Sequence, residues 1–165
     1  MKGLTLTHVS LLTSHDSLFT IYMRKIITNI LFLCLFGCSS LFAQQENKQS
    51  TWHGFVMHSF VFEGRQARIV APEQALPGNP WVWRAYFPDW HTDMDSILLS
   101  RGFHIAYIDC SDMFGNAEAM QLWEKFYQYL IQKFSFSKKP VLEGVSRGGL
   151  YIYNWAKRNP DKVSF

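Results

Sequence analysis

The sequence is poor in cysteine and in charged residues. It has 3 cysteines in 165 residues, and two of them, Cys34 and Cys38, fall in a segment that we expect to be removed, so no disulfide framework is predicted. Charged residues make up 18% of the chain and the net charge is only +3. Because lysine and arginine form no cluster, we expect no nucleic-acid partner. The sequence also lacks a P-loop, a dinucleotide fingerprint and metal-ligand spacing, so we predict no cofactor and no metal.

Apolar and aromatic residues are plentiful instead. Hydrophobic residues make up 48% of the chain and aromatic residues 16%, which excludes an intrinsically disordered protein. No internal repeat and no low-complexity segment is present. The length is that of a single domain with its own core.

The amino-terminal region has the layout of an export signal. Residues 23–43 begin with a basic pair, continue with an apolar run and end with small residues up to Ala43. The run is shorter than the roughly 20 apolar residues of a membrane-spanning helix. We predict a signal peptide, cleavage after Ala43 and export to the periplasm or the medium. The alternative is a lipoprotein anchored at Cys38, because residues 35–38 resemble a bacterial lipobox; only then do we expect contact with a membrane.

The remaining boundaries follow from that signal. A signal peptide belongs at the true start of a protein, so we interpret residues 1–22 as an artefact of the assigned start, with translation beginning at Met23. Residues 44–52 are polar and predict a flexible leader. Residues 53–165 then form the domain.

The domain alternates between strand and helix patterns. Two extended runs, residues 56–62 and 66–71, flank a Glu63-Gly64-Arg65 turn that predicts a hairpin with Gly64 at positive φ. Three apolar runs predict buried strands, at residues 81–87, 103–108 and 140–145. Three helical patterns alternate with them, at residues 92–100, 116–134 and 148–158. The predicted fold class is α/β, with an incomplete, doubly wound, mostly parallel sheet and an antiparallel hairpin at one edge.

One motif points to chemistry. Residues 144–149 read GVSRGG, which fits G-x-S-x-G between a strand and a helix. That setting places Ser146 on a strained turn, with its hydroxyl clear of the sheet and the positive end of the helix dipole beneath it. Gly144 and Gly148 let the strand and helix approach, and we expect Gly149 to bring the helix close to the sheet. The structural alternative is that Ser146 merely caps the helix.

With this motif the sequence resembles the amino-terminal half of an α/β-hydrolase. The segments NPWVWRAYF, GFHIAYIDC and PVLEGVSRGGLYIYNWAKRNPDKV resemble exported bacterial enzymes of that superfamily. The resemblance implies that Ser146 is the nucleophile and that the backbone N–H of Arg147 is one oxyanion donor. It places the second donor near Tyr86 or Phe87, where the usual His-Gly pair is absent. For the Arg147 side chain we expect a salt bridge within the structure; the alternative is an acidic group on the substrate.

The resemblance also implies residues that this chain does not supply. The triad order is serine, acid, histidine, but no histidine follows Ser146, and Asp161 follows it too early. We expect the triad acid and histidine to be absent from an apparently truncated domain, and the chain alone to be inactive or poorly soluble. Asp109, at a strand end, either binds substrate or fixes the next loop. Trp83 either stacks on substrate or packs in the core.

Three functions therefore remain open. The leading one is an exported serine esterase that acts on small-molecule or carbohydrate-linked esters through Ser146. A second is a peptidase of the prolyl-oligopeptidase type, which the final glycine pair of the motif suggests. The third is a non-catalytic or decaying fragment, because the chain lacks the triad histidine.

Overall fold

The structure is a computed structural model that describes Thr20, residues 22–27 and residues 48–164. Residues 22–27 are helical and belong to the unit Met1–Gln44, while Gln45–Phe165 forms a second compact unit. Most of the predicted signal peptide, including Cys38 and Ala43, lies outside the described residues, as does most of the segment before Met23. Of the helices that the structure describes, none has the length and apolar character needed to cross a bilayer.

Six strands form one mixed sheet in the order β1-β2-β3-β5-β4-β6. The strands are β1 (Lys48–Trp52), β2 (Phe55–Phe62), β3 (Arg65–Ala71), β4 (Trp81–Ala85), β5 (His104–Ile108) and β6 (Val141–Gly144). Strand β4 pairs in parallel with β5 and β6, whereas β1–β2, β2–β3 and β3–β5 are antiparallel. The predicted α/β class is confirmed, but the sheet is mixed rather than mostly parallel, because three of its five pairings are antiparallel.

The edge of the sheet differs from the prediction. Part of the predicted flexible leader, Lys48–Trp52, forms β1 and pairs with β2 from Lys48↔Ser59 to Trp52↔Phe55. The sequence KQSTW lacks an apolar alternation because the strand is mostly exposed, and its pairing comes from the neighbouring strand rather than from its own pattern. The predicted hairpin, β2–β3, is therefore the second and third strand of the sheet, and its turn has Gly64 at a φ of 76° as expected.

Three helices cover the two faces of the sheet: α1 (Asp93–Ser100), α2 (Ala117–Phe134) and α3 (Gly148–Arg158). Helix α2 begins as predicted, with the Asn116 side chain accepting a hydrogen bond from the Ala119 N–H at 2.9 Å. From β4 the chain passes through α1 to β5 on one side, and then through α2 to β6 on the other side of β4. The order of strands thus reverses at β4, and in open α/β sheets ligands bind where the strand order reverses.

The core lies mainly between the sheet and helices α2 and α3. Trp83 of β4 is completely buried and stacks on Trp123 of α2, with ring centroids 4.2 Å apart. A smaller cluster on the opposite face joins Val82 of β4 to Leu99 of α1. The suggestion that Trp83 stacks on substrate is wrong for this structure, because its ring is enclosed by the core.

Replacing Trp83 tests how much this stack stabilises the domain. We expect Trp83→Ala to lower the free energy of unfolding by about 3–5 kcal/mol, because it removes a fully buried aromatic ring and leaves a cavity. Urea denaturation of the full chain measures the change. Tyr153→Ala is the control, because Tyr153 is 77% exposed and its loss should change stability by about 0.5 kcal/mol or less. Equal losses in the two variants would contradict the assignment of Trp83 to the core.

Candidate functional site

Ser146 lies on a sharp turn between β6 and α3. Strand β6 ends at Gly144 and helix α3 begins at Gly148. Ser146 has a φ of 52°, in the left-handed region that non-glycine residues seldom adopt, and it is exposed. Strained backbone of this kind is concentrated at functional sites. The expected strand–turn–helix arrangement is present, and it presents the serine to solvent.

Two glycines allow this turn to form. A Cβ atom at Gly148 would overlap the Ala85 carbonyl oxygen and lie 2.9 Å from its carbon, well inside van der Waals contact. A Cβ at Gly144 would lie 2.6 Å from Cδ1 of Ile152 and 3.0 Å from the Gly148 carbonyl carbon. Gly149 differs, because a Cβ there would meet nothing within 4 Å. The expectation that Gly149 brings the helix close to the sheet is therefore wrong.

The two adjacent glycines give a matched pair of variants. We expect Gly148→Ala to destabilise the full chain by about 1–3 kcal/mol, because the new methyl group forces α3 away from β4. Gly149→Ala should leave stability unchanged or raise it by up to about 1 kcal/mol, because alanine favours helix and the space is open. Thermal unfolding followed by circular dichroism compares the two. A similar melting temperature for both variants would show that the close contact at Gly148 is not required.

The N–H of Arg147, just before α3, is a free backbone donor next to the serine. The N–H groups of Gly148, Gly149 and Leu150 donate to carbonyls three residues earlier, at 2.8–3.1 Å. Within residues 48–164, no acceptor takes the N–H of Arg147. The positive end of the helix dipole reinforces a donor at this position. The free N–H is thus the one that the resemblance to α/β-hydrolases implies.

The loop after β4 borders this turn. Strand β4 ends at Ala85, two residues before the predicted end, because Tyr86 and Phe87 have positive φ values of 68° and 41°. The Ala85 carbonyl accepts a hydrogen bond from Val145 at 3.4 Å, and a Cβ at Gly148 would lie 3.3 Å from Cβ of Tyr86. In the part of the chain that the structure describes, the N–H groups of Tyr86 and Phe87 have no acceptor. The candidate second donors therefore lie beside the Ser146 turn.

The side chain of Arg147 closes one side of this group. Its guanidinium carbon lies 4.9 Å from the centre of the Tyr86 ring and 5.9 Å from that of Phe87, distances at which a cation is attracted to an aromatic face. None of the carboxylates in residues 48–164 forms an ion pair with it. The expected salt bridge is therefore replaced by aromatic contacts, and the charge of Arg147 remains available beside Ser146.

Asp109 follows β5 and contacts its own loop. Its Oδ1 accepts hydrogen bonds from the Ser111 N–H at 3.0 Å and from the Tyr107 hydroxyl at 3.3 Å. Burial, together with the negative charge of Asp109, raises the pKa of Tyr107, so this hydroxyl stays a donor. Of the two interpretations, these contacts favour a carboxylate that fixes the loop after β5.

Three of the four described histidines have partners away from the serine. His53 Nε2 lies 3.0 Å from the Thr92 hydroxyl, and the half-buried His104 lies 3.4 Å from the Pro80 carbonyl oxygen. His91 packs edge-on against Trp90. The Ser146 hydroxyl makes no hydrogen bond with any residue that the structure describes. The described residues thus bring the serine and candidate backbone donors together, but they do not bring a general base to the serine.

A buried charged cluster lies on the face of β4 that is turned away from Trp83. The sequence analysis did not predict it. Arg84 and Asp95 are 1% and 0% exposed. One terminal nitrogen of Arg84 donates to Asp95 and, at 2.9 Å, to Oε1 of Glu143. The sequence carried one signal for this cluster, because Arg84 and Glu143 each lie inside an otherwise apolar strand pattern. The structure adds that the two residues are paired in the sheet register.

The cluster contains two carboxyl groups and one arginine, so its charges balance only when one carboxyl group is protonated. Burial, and after it the negative charge of Glu143, raise the pKa of Asp95 to about 7 against the opposing effect of Arg84, which lowers it. One oxygen of each carboxyl, Asp95 Oδ1 and Glu143 Oε2, is buried without a hydrogen-bond partner in this structure. A proton on the pair removes one buried negative charge, so the neutral combination is favoured inside the protein.

The raised pKa of Asp95 predicts a pH dependence of stability. Between about pH 4 and pH 7 the folded chain keeps a proton that the unfolded chain has lost, so the contribution of Asp95 to the free energy of unfolding falls as the pH rises. We expect Asp95→Asn to remove this contribution and flatten the profile, measured by urea denaturation across that range. Asp93→Asn on the exposed side of α1 is the control. Parallel profiles for the wild type and Asp95→Asn would contradict the buried proton.

A cavity of about 700 Å³ lies at the other end of the sheet from Ser146. It is lined by Phe55, residues 73–77 after β3 and residues 99–102 before β5. Because it opens at the amino ends of the parallel strands, it has no access to the Ser146 turn. Volume alone therefore does not locate the candidate site.

Comparisons with known proteins found similarity to solved structures alone. No protein-family model and no curated protein matches the chain. Similar solved structures include epoxide hydrolase A from Mycobacterium thermoresistibile (21% identity, TM-score 0.44, 70% of this chain and 37% of that chain), Cfl2 from Burkholderia cenocepacia (17%, 0.48, 71% and 42%) and Est1E from Butyrivibrio proteoclasticus (13%, 0.39, 71% and 47%). The chain thus spans less than half of each of these structures. The strand order and the turn at Ser146 agree with the α/β-hydrolase fold that the sequence resembles.

Proposed function

We propose that this chain is part of an exported serine hydrolase that cleaves esters by acyl transfer through Ser146. The observation that carries the proposal is the exposed serine at a φ of 52°, next to the unpaired N–H of Arg147. The substrate class is a small-molecule or carbohydrate-linked ester. Export rests on the signal-like pattern of residues 23–43.

The geometry suggests how such a reaction would proceed. The Ser146 oxygen attacks the ester carbonyl, the carbonyl oxygen becomes negatively charged, and the alcohol leaves as the acyl group is transferred to the serine; water then releases the acid. The N–H of Arg147 and those of Tyr86 or Phe87 stabilise the oxyanion. Loss of one such donor commonly costs about 3–4 kcal/mol of transition-state stabilisation. Helix α3 adds its positive dipole end to the same position.

The reaction also needs a general base to take the proton of the Ser146 hydroxyl. A serine without a base is a weak nucleophile, and the described histidines do not contact Ser146. The proposal therefore takes the triad histidine and acid from outside residues 48–164. The same observation favours the second candidate function, a non-catalytic protein that keeps the hydrolase turn as structure.

A fluorophosphonate probe separates these two functions. We expect the full chain to form a slow covalent adduct that peptide mapping places on Ser146, because the backbone donors stabilise the charged intermediate even when the base is missing. Ser146→Ala should abolish the adduct. Mass spectrometry of the intact chain gives the rate of labelling.

The matched control is Ser100→Ala, because Ser100 is also an exposed serine but lies at the end of α1. This variant should label at the wild-type rate. Labelling of Ser100 and Ser146 to the same extent, or no labelling of the wild type at any serine, would reject the proposed nucleophile and leave the non-catalytic function.

A further inference from the structure

Arg84 is a buried arginine whose five N–H hydrogens all have acceptors. A guanidinium group carries one hydrogen on Nε and two on each terminal nitrogen. One terminal nitrogen donates to Asp95 and Glu143. The Nε hydrogen and the other terminal nitrogen donate to the Phe87 carbonyl oxygen, at 3.2 and 3.0 Å, and that nitrogen also donates to the Trp90 carbonyl. Every donor is therefore committed, and the orientation of the group is fixed.

Three of these five hydrogen bonds end on the loop after β4. The loop carries the strained residues Tyr86 and Phe87, and its carbonyl groups at Phe87 and Trp90 point to the same guanidinium. Burying an arginine for core stability alone is unfavourable, because an apolar side chain of similar size commonly serves as well. The hydrogen bonds to the Phe87 and Trp90 carbonyls indicate that the buried charge holds the loop in place.

The outer side of the loop is fastened by a second arginine. Arg68 donates to the Pro88 carbonyl and forms an ion pair with Asp89 at 2.9 Å. The Trp52 indole N–H also donates to Asp89, at 2.9 Å. These contacts are more exposed than those of Arg84, so solvent and salt compete with them. Arg84 is thus the support of the loop that solvent cannot replace.

We propose that Arg84, held by Asp95 and Glu143, is a positioning residue that fixes the loop after β4 and thereby sets the N–H groups of Tyr86 and Phe87 beside Ser146. The carboxylates accept hydrogen bonds from one terminal nitrogen of the guanidinium and orient it, and the Nε and the other terminal nitrogen hold the Phe87 and Trp90 carbonyls. The effect on the Ser146 reaction rests on the proposed function, whereas the effect on the loop does not.

Hydrogen exchange of the full chain tests the effect on the loop. We expect Arg84→Lys to accelerate exchange of the Trp90 amide, which donates to the Phe87 carbonyl at 3.2 Å, by about tenfold, because lysine cannot reproduce the forked set of donors that holds this loop. Exchange in α2 should change by much less. Arg65→Lys is the matched control, because Arg65 is partly exposed and pairs with Asp112 rather than with a residue of this loop. Unchanged exchange at Trp90, or an equal increase in α2, overturns the proposal.

A second pair of variants covers the case in which Arg84→Lys does not fold. Asp95→Ala leaves Arg84 paired with Glu143, so the buried charge stays balanced, but it removes one of the two groups that orient the guanidinium. We expect several-fold faster exchange in the loop. Asp95→Asn keeps an acceptor for Arg84 and should return exchange to the wild-type rate. The same rate in Asp95→Ala as in the wild type overturns the proposal.

Labelling of Ser146 by the fluorophosphonate then tests the positioning. If the wild type forms the adduct, Arg84→Lys and Asp95→Ala should slow its formation by about tenfold, while Arg65→Lys and Asp95→Asn keep the wild-type rate. An unchanged labelling rate in a variant with a loosened loop overturns the positioning role. If the wild type forms no adduct, the proposed function fails, and hydrogen exchange still decides whether Arg84 holds the loop.

Discussion

The close approach of helix α3 to the end of β4 is the constraint on which the rest of the site depends. Gly148 packs against the Ala85 carbonyl so tightly that no side chain fits between them. This contact forces the chain to turn within the few residues after Gly144, and Ser146 adopts a positive φ in that turn. It also brings the first turn of α3 against Tyr86, so the helix terminus, the serine and the loop after β4 meet at one point.

The two faces of β4 support the Ser146 turn and the neighbouring loop in different ways. On the face toward α2 and α3, Trp83 and its aromatic neighbours give the strand a rigid base that water does not reach. On the face toward α1, Arg84 replaces apolar packing with a set of directional hydrogen bonds. Apolar contacts hold a strand but do not fix the carbonyls of a loop, whereas a guanidinium does. Asp95 and Glu143 together neutralise this charge, and burial raises the pKa of Asp95.

The far side of β6 is the open side of the described sheet. Within residues 48–164, β6 pairs only with β4. After α3 the chain turns back, Val163 is extended, and the Ser164 N–H donates to the Pro140 carbonyl at 2.9 Å. The serine therefore lies at the border between the packed part of the sheet and its open edge.

The sequence by itself determined the helices, the buried strands, the Gly64 hairpin and the turn at Ser146, because each is specified by local periodicity, a cap or glycine spacing. The exposed strand β1, the burial of Trp83 and the early end of β4 were decided only by the tertiary structure. Polar KQSTW becomes a strand only because β2 offers hydrogen bonds, and Tyr86 leaves the strand conformation where α3 and Arg84 meet the chain. Arg84 and Glu143 looked like isolated charges in apolar runs, and only their alignment in neighbouring strands, with Asp95 of α1 above them, makes them a cluster.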